Sequence, residues 1–539
     1  MTLAPRGIRS TKASRSNRAR PRGIARLQPI VGIALLLAAS ACLQRPTLNP
    51  NIIVVGVTSG PNNLDPRIGT DDVSAKAAQL IFNNLMTLDD RLQVAPDLAE
   101  RLDNPDPTTY VALLRKGVRF HDGHELTSAD VVYTFKSLLD PAFISPRKGA
   151  YRMVKTIEAR DRYTVAFRLK EPFGSFPVNL VMPIVPEGAG PDFREHPVGT
   201  GPYRFVRYLV DDRLELAPFE DYFGGRPRND GLILKIVPDD IMRGLELRKG
   251  TIDLVVNDIA PDIVHQLARD RELQVVESPG VDYQYIGLNL RDPILKDLRV
   301  RKAIGFAIDR RAIVDYLRRG LAAPAAGILP PVSWAYEPDM FTFTYDPARA
   351  RALLDEAGYP DPDGDGPQPR FHLTLKVSNA EFNHLQSAVI QQDLRAVGIA
   401  LDVRTFEFAT LYADVLTGNF QLYTLQWVGG AVADPDILRR VFHSTQVPPA
   451  GFNRGYFQNA TVDRLLDEAA VTTDQERRKH VYREVQRIIA AEVPYISLWH
   501  KTNVAVAQRT LAGIHVPPIA DFTFLRDVAR VAPDGAPAH

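Results

Sequence analysis

A few residues in this 539-residue chain have types and spacings that could do chemistry. His121-Asp122-Gly123-His124-Glu125 offers imidazoles and carboxylates of the kind that ligate zinc. The second histidine, however, leads into Glu125-Leu126-Thr127-Ser128 and not into E-x-x-H. The stretch therefore reads as a turn between a strand and a helix capped by Thr127 or Ser128. Asp361, Asp363, Asp365 and Gly366 open like a calcium loop, D-x-D-x-D-G, but His372 stands where the bidentate glutamate belongs. A solvated turn after a helix stop at Gly358 fits better. No G-x-x-x-x-G-K-[ST] loop is present to cradle nucleotide phosphates, and no G-x-S-x-G elbow to expose a serine nucleophile. No catalytic residue, metal site or cofactor is assigned, and the chain is not read as an enzyme.

Cys42 is the one cysteine, which excludes an internal disulfide. Arg6, Arg9, Lys12, Arg15, Arg18, Arg20, Arg22 and Arg26 precede an apolar run from Ile30 to Ala41 that ends in small residues. Charge, then apolar, then small is the order of a secretory signal peptide, and the run is too short to span a bilayer comfortably. Ala39-Ser40-Ala41-Cys42 resembles the bacterial lipoprotein box, with Ala39 where leucine is usual. The resemblance implies acylation of Cys42 and a membrane anchor.

The elements that must position any site follow from periodicity. Hydrophobic residues make up 45% of the chain and charged residues 24%, so it is globular, with two or three lobes. The formal net charge is +1, with much of the positive excess in the first 30 residues, so the remainder is mildly acidic and suits neither nucleic acid nor an anionic membrane surface. Asn51 to Gly56 reads as a buried strand. Asp346-Pro347 caps and opens a helix with Ala350, Leu353, Leu354 and Ala357 on one face. Asp309 caps another that carries Ile313, Val314 and Leu317 and stops at Gly320. Thr461 leads into the stripe Val462, Leu465, Leu466 and Ala469; Val481, Val485 and Ile488 form a further stripe. Ile399, Leu401 and Val403 alternate as a half-buried strand does. Arg115-Lys116-Gly117 reads as a hairpin-like turn between 110–114 and 118–120, and Gly199-Thr200-Gly201-Pro202 as a tight turn entering a strand. The chain is mixed α/β, with helices covering sheets.

A series of segments in fixed order carries a stronger signal. They include Pro96-Asp97-Leu98-Ala99-Glu100, Leu114-Arg115-Lys116-Gly117-Val118-Arg119-Phe120, Leu126-Thr127-Ser128-Ala129-Asp130, Pro197-Val198-Gly199-Thr200-Gly201-Pro202-Tyr203, Leu247-Arg248-Lys249-Gly250 and Asp297-Leu298-Arg299-Val300-Arg301. Together they resemble family 5 extracellular solute-binding proteins, the dipeptide, oligopeptide and nickel binders. The resemblance implies a two-lobe periplasmic-binding-protein fold of type II with an extra subdomain on the first lobe. Its implied divisions are a signal peptide at 1–41, a tether at 42–50, lobe I from 51–88 with 197–278 and 505–530, the subdomain at 89–196, lobe II at 279–504 and a frayed tail at 531–539.

It further implies a lipid-anchored monomer on the periplasmic or cell-surface side. Such a protein takes short peptides or peptide-like solutes by hinge closure and hands them to ABC permease subunits served by a separate ATPase. A nickel or metal-chelate binder is the alternative, with His443 and His500 as its nearest candidate ligands. Ligand-contact candidates by resemblance are Gly69, Thr70 and Asp72 after the first strand, Asn289, and Trp427, Gly429, Gly430 and Asp434. Peptide binders carry an aspartate shortly after this tryptophan, where the chain has Gly429-Gly430-Ala431. Unless Asp434 takes its place, a charge-assisted hydrogen bond of roughly 1.5–3 kcal/mol to a ligand ammonium is missing.

Overall fold

The computed structural model describes residues 49, 51–364 and 366–531. The signal segment, Cys42, Asp365 of the aspartate-rich turn and the tail beyond Val531 lie outside the described residues.

The apolar run after Asn51 forms the strand Ile53–Val57, buried on both faces. It pairs in parallel with Leu232–Ile236 on one side and Leu254–Val256 on the other, as a continuous apolar strand in an α/β sheet should. These strands belong to an 11-stranded sheet. Its path runs Ile399–Phe406, Phe371–Ser378, Leu422–Trp427, Leu273–Leu288, Tyr495–Gln508, Leu254–Val256, Ile53–Val57, Leu232–Ile236, Arg213–Pro218 and Tyr203–Leu209, with Ala322–Pro324 added on Tyr495–Gln508. Two strands, of 16 and 14 residues, run through both halves of this sheet, and the two lobes are built around those halves.

Around the first half, Ile53, Val55, Leu80, Ile81 and Leu234 share a core with Ala505, Phe522 and Leu525, so the C-terminal segment returns to the lobe that the chain enters first. The second half has a core on each face. One holds Ile286, Leu375 and Trp499, and the other Tyr285, Tyr423 and Tyr482. A four-stranded antiparallel sheet, Ala99–Asp106, Thr109–Leu114, Thr164–Leu169 and Val154–Asp161, packs with the helix Ser128–Leu139 around its own core of Phe120, Phe135 and Phe167. Among the described residues no helix is long and apolar enough to cross a membrane.

Local signals translate well. Asp346 caps Pro347–Glu356 by accepting from Arg349 N, and Gly358 follows at φ +89°. Thr127 and Asp130 form a reciprocal capping box at Ser128–Leu139. Gly199 and Gly201 press against the last turn of Asp72–Ile81, where Gly201 N donates to Ile81 O at 2.9 Å and a Cβ would run into that backbone. The helix expected after Asp309 is capped by it and runs as Arg310–Ala312 and then π-helical Ile313–Leu317. Asn459 caps Ala460–Val471, which carries the stripe Val462, Leu465, Leu466 and Ala469. One expectation needs correction. The Arg115-Lys116-Gly117 turn is no hairpin: Thr109–Leu114 pairs with Ala99–Asp106 and Thr164–Leu169, while Val118–Phe120 folds onto 124–126.

Candidate functional site

The lobes meet where the two long strands lose register. Pro279 faces Thr502 and Tyr283 faces His500, so Gly280–Asp282 bulge opposite Lys501. A Cβ on Gly280 would collide with the Lys501 carbonyl and lie 2.8 Å from Asn503 Oδ1, so glycine is required for the close approach. The bulge re-aims Asp282, whose Oδ1 accepts from Gly429 N at 2.9 Å. That bond joins the bulge to the segment that leaves Leu422–Trp427.

This segment is where the tryptophan reading lands. Trp427 is 9% exposed, packs edge-on to Phe452 at 5.3 Å, and lies 5.3 Å from the Arg454 guanidinium. Arg454 also donates to the hydroxyls of Tyr285 at 3.3 Å and Tyr412 at 3.1 Å, so the indole is backed by an arginine held in an aromatic box. Val428 is extended at φ −125°, ψ 144° and 56% exposed. Gly429 takes φ +50°, and nothing comes within 4 Å of the place a Cβ of Gly430 would occupy. An exposed, extended residue thus sits beside an anchored aromatic, and the 3-10 turn Gly429–Val432 that follows it borders open space at Gly430.

Asp434 is already engaged. Its Oδ1 accepts from Ser175 Oγ at 2.8 Å and Asp436 N at 2.8 Å, with Arg478 Nη2 at 3.4 Å. Arg478 donates to Ser175 Oγ at 2.6 Å, and Gly174 N donates to Ala470 O at 2.7 Å. The carboxylate therefore belongs to a clasp between the Phe173–Ser175 loop and the helices Ala460–Val471 and Gln475–Glu492.

Gly69 closes a loop held by the buried Asp65–Arg67 ion pair at 2.7 Å, with its carbonyl taken by Arg147 at 3.2 Å. Thr70 is exposed. Asp71 caps the helix Asp72–Ile81 through Ser74 N at 3.0 Å, and the exposed Asp72 pairs with Lys76 at 2.6 Å. Lys76 also lies 4.0 Å from Asp258. Asn289 stands apart. Its Nδ2 donates to Phe420 O at 2.9 Å and its Oδ1 accepts from Arg291 N at 3.2 Å, and seven residues of strand put it roughly 20 Å from the bulge.

Charge gathers around the bulge. Arg318 stacks on Trp499 at 4.7 Å, and burial pulls its pKa down to about 10 while Asp282 opposes the shift. Burial likewise lowers Lys501, again opposed by Asp282, and raises Asp258, opposed by Lys76. On the opposite face His500 packs 5.2 Å from Tyr283 with Nε2 3.0 Å from Gly327 O, and burial lowers its pKa to about 4. His443 sits beside Thr445 and 3.2 Å from Asp467. Among the described residues no group of three metal-ligating side chains forms. Asp282, Lys501 and Arg318 were not legible as site residues. The one available signal was Pro279-Gly280 inside an otherwise β-forming run, which marks a bulge.

A family model described as "Bacterial extracellular solute-binding proteins, family 5 Middle" matches residues 93–449. The glutathione-binding protein GsiB of Salmonella choleraesuis is 30% identical over 511 residues, 91% of this chain and 97% of that protein. The oligopeptide-binding protein AppA of Bacillus subtilis is 29% identical over 490 residues, 87% of this chain and 90% of that protein. The structure of AppA from Bacillus subtilis in complex with a nonapeptide superposes with a TM-score of 0.70 at 28% identity, covering 89% of this chain and 99% of that one.

Proposed function

The chain belongs to the bacterial extracellular solute-binding proteins of family 5, and on that premise we propose that it captures short peptides or peptide-like solutes between its lobes. The observation that carries this reading is the exposed, extended residue Val428 between the anchored Trp427 and the open space at Gly430. A ligand strand can pair its amide groups there whatever its side chains are. The similarity to proteins named for binding oligopeptides and glutathione supports the same ligand class.

In this reading the lobes close about the Gly280–Asp282 bulge. The loaded monomer then docks on the permease subunits of an ABC importer whose separate ATPase supplies the energy. Cys42 carries the lipid that holds the protein at the outer side of a membrane. Lobe I comprises 51–88, 197–278 and 505–530, the subdomain 89–196 and lobe II 279–504.

Native mass spectrometry tests the ligand class. The protein is incubated with a synthetic mixture of short peptides and, separately, with nickel and free histidine. Retention of peptide masses is the expected result. A nickel–histidine adduct without any retained peptide would replace this reading with the chelate-binding one.

A further inference from the structure

The hairpin that pairs Met86–Leu88 with Val94–Pro96 turns through Asp90, Arg91 and Leu92. Asp89 N donates to Gln93 O and Leu92 N to Asp89 O, each at 2.9 Å. The Asp89 carboxylate accepts from Arg91 N at 2.9 Å and Gln93 N at 2.8 Å. A loop of this build ends in a left-handed residue, a place that favours glycine. Here that residue is Leu92, at φ +59°. The conformation strains a leucine, and nothing in the turn offsets the strain, since every one of these bonds would form as well with glycine.

The compensating contact lies in the other half of the molecule. Leu92 is 2% exposed and belongs to the core that Leu329, Tyr423 and Tyr482 share, whereas Met86, at the base of the hairpin, is buried in the core of Phe120 and Phe135. The tip therefore leaves one core and enters another. Trp334 packs against the second of these cores, and its N donates to Arg91 O at 3.2 Å, so a backbone bond crosses the contact beside the buried leucine. Arg478 lies 5.5 Å from the Trp334 ring and donates to Ser175 Oγ at 2.6 Å. The leucine seat and the Ser175–Asp434 clasp thus flank one arginine of Gln475–Glu492, and every group in both contacts belongs to the chain itself.

We propose that Leu92 is a latch: seated in the second lobe, it holds the lobes together before a ligand arrives, and capture proceeds through its withdrawal. The strain of the turn is the same whether the tip is seated or withdrawn, so it favours neither state. The apolar burial exists only in the seated one. Leucine in place of glycine therefore raises the closed-to-open ratio by about tenfold or more, the equivalent of one buried leucine side chain. A protein held shut in this way admits ligand only through its open fraction, which slows entry by that fraction. The assignment rests on the two-lobe capture reading and names the residue that sets its resting state.

Hydrogen exchange of the protein without added ligand, resolved to single amides by fragmentation mass spectrometry, tests it. The Trp334 amide is released when the tip withdraws, and the Gly174 amide, bonded to Ala470 O at 2.7 Å, when the clasp parts. Leu92→Gly suits the turn and removes the buried side chain. In this variant both amides should exchange about tenfold faster or more, while the Asp89 amide, bonded inside the turn, should exchange no faster. Leu92→Met refills the seat and should keep both amides near their wild-type rates. Circular dichroism establishes that each variant is folded, and Leu92→Ala, read in the same way, serves if Leu92→Gly is not. Unchanged rates at Trp334 and Gly174 overturn the latch. Acceleration at Trp334 alone would mark a local contact that does not hold the lobes, and acceleration at Asp89 as well would mark an unravelled hairpin; each overturns it too. So does a methionine variant as fast as the glycine one. Retention of the peptide mixture by the wild-type protein tests capture separately, so the latch can fall while that reading stands.

Discussion

Replacing His500 with glutamine probes how the hinge strand keeps an imidazole neutral. The ring is 5% exposed and its Nε2 lies 3.0 Å from Gly327 O, an arrangement that fixes the Nε2–H tautomer as donor. Burial lowers its pKa from 6.5 to about 4. Between those values the unfolded chain takes up a proton that the folded chain refuses. The stability this group contributes is thus fully present above pH 6.5 and lost as the pH falls toward 4. Linkage puts the loss between pH 7 and pH 4.5 at about 2 kcal/mol. Glutamine can donate to the same carbonyl but does not titrate. At pH 7, His500→Gln should be the less stable protein by about 1–3 kcal/mol through lost packing against Tyr283, and at pH 4.5 that gap should shrink by about 2 kcal/mol. His121, also lowered to about 4 by burial, is present in both proteins and cancels in the comparison. Urea unfolding followed by tryptophan fluorescence at the two pH values gives the gap, and long-range ¹H–¹⁵N spectra give the tautomer. Parallel pH profiles, or a His500 ring that titrates near 6.5, would refute the reasoning.

The clasp and the anchor give two further tests. A Cβ on Gly174 would drive into the Thr472 carbonyl, so Gly174→Ala should lift the Ser175 loop from Asp434 and Arg478, cost about 1–3 kcal/mol, and enlarge the ligand-free particle in small-angle scattering. An unchanged radius would mean that this contact does not hold the lobes together. Cys42→Ala should shift the protein from the membrane pellet to the soluble extract, and an unaltered distribution would remove the lipid-anchor reading.

Local features were legible wherever a short stretch decides the structure. The Asp346-Pro347 start, the Thr127 cap and the buried strand after Asn51 depend only on neighbours in sequence, and the folded chain has each of them. The Arg115-Lys116-Gly117 turn misled because strand partners are set by the whole sheet: Thr109–Leu114 finds both of its partners elsewhere. The candidate site divides in the same way. Trp427 and the glycines after it stood out as a segment, whereas the clasp joins Asp434 to Ser175 and Arg478, and Asp282 meets Gly429 across 147 positions. Asn289 was a candidate by resemblance, yet its side chain is taken up by backbone groups of the second lobe.

The strands Leu273–Leu288 and Tyr495–Gln508 are laddered on either side of residues 280–282, with one further register shift between Gln284 and Tyr285. A joint of this build resists sliding, because shear would break every bond in the ladder together, and it yields most easily to twist, which the unpaired bulge can absorb. The two halves of the sheet would then turn like stiff plates about an axis through Gly280 and Lys501, with little displacement at the axis and the largest at the far rims. The side chains nearest that axis would meet a ligand in almost the same arrangement whether the jaws stand open or shut, while the Ser175–Asp434 clasp must part before they open.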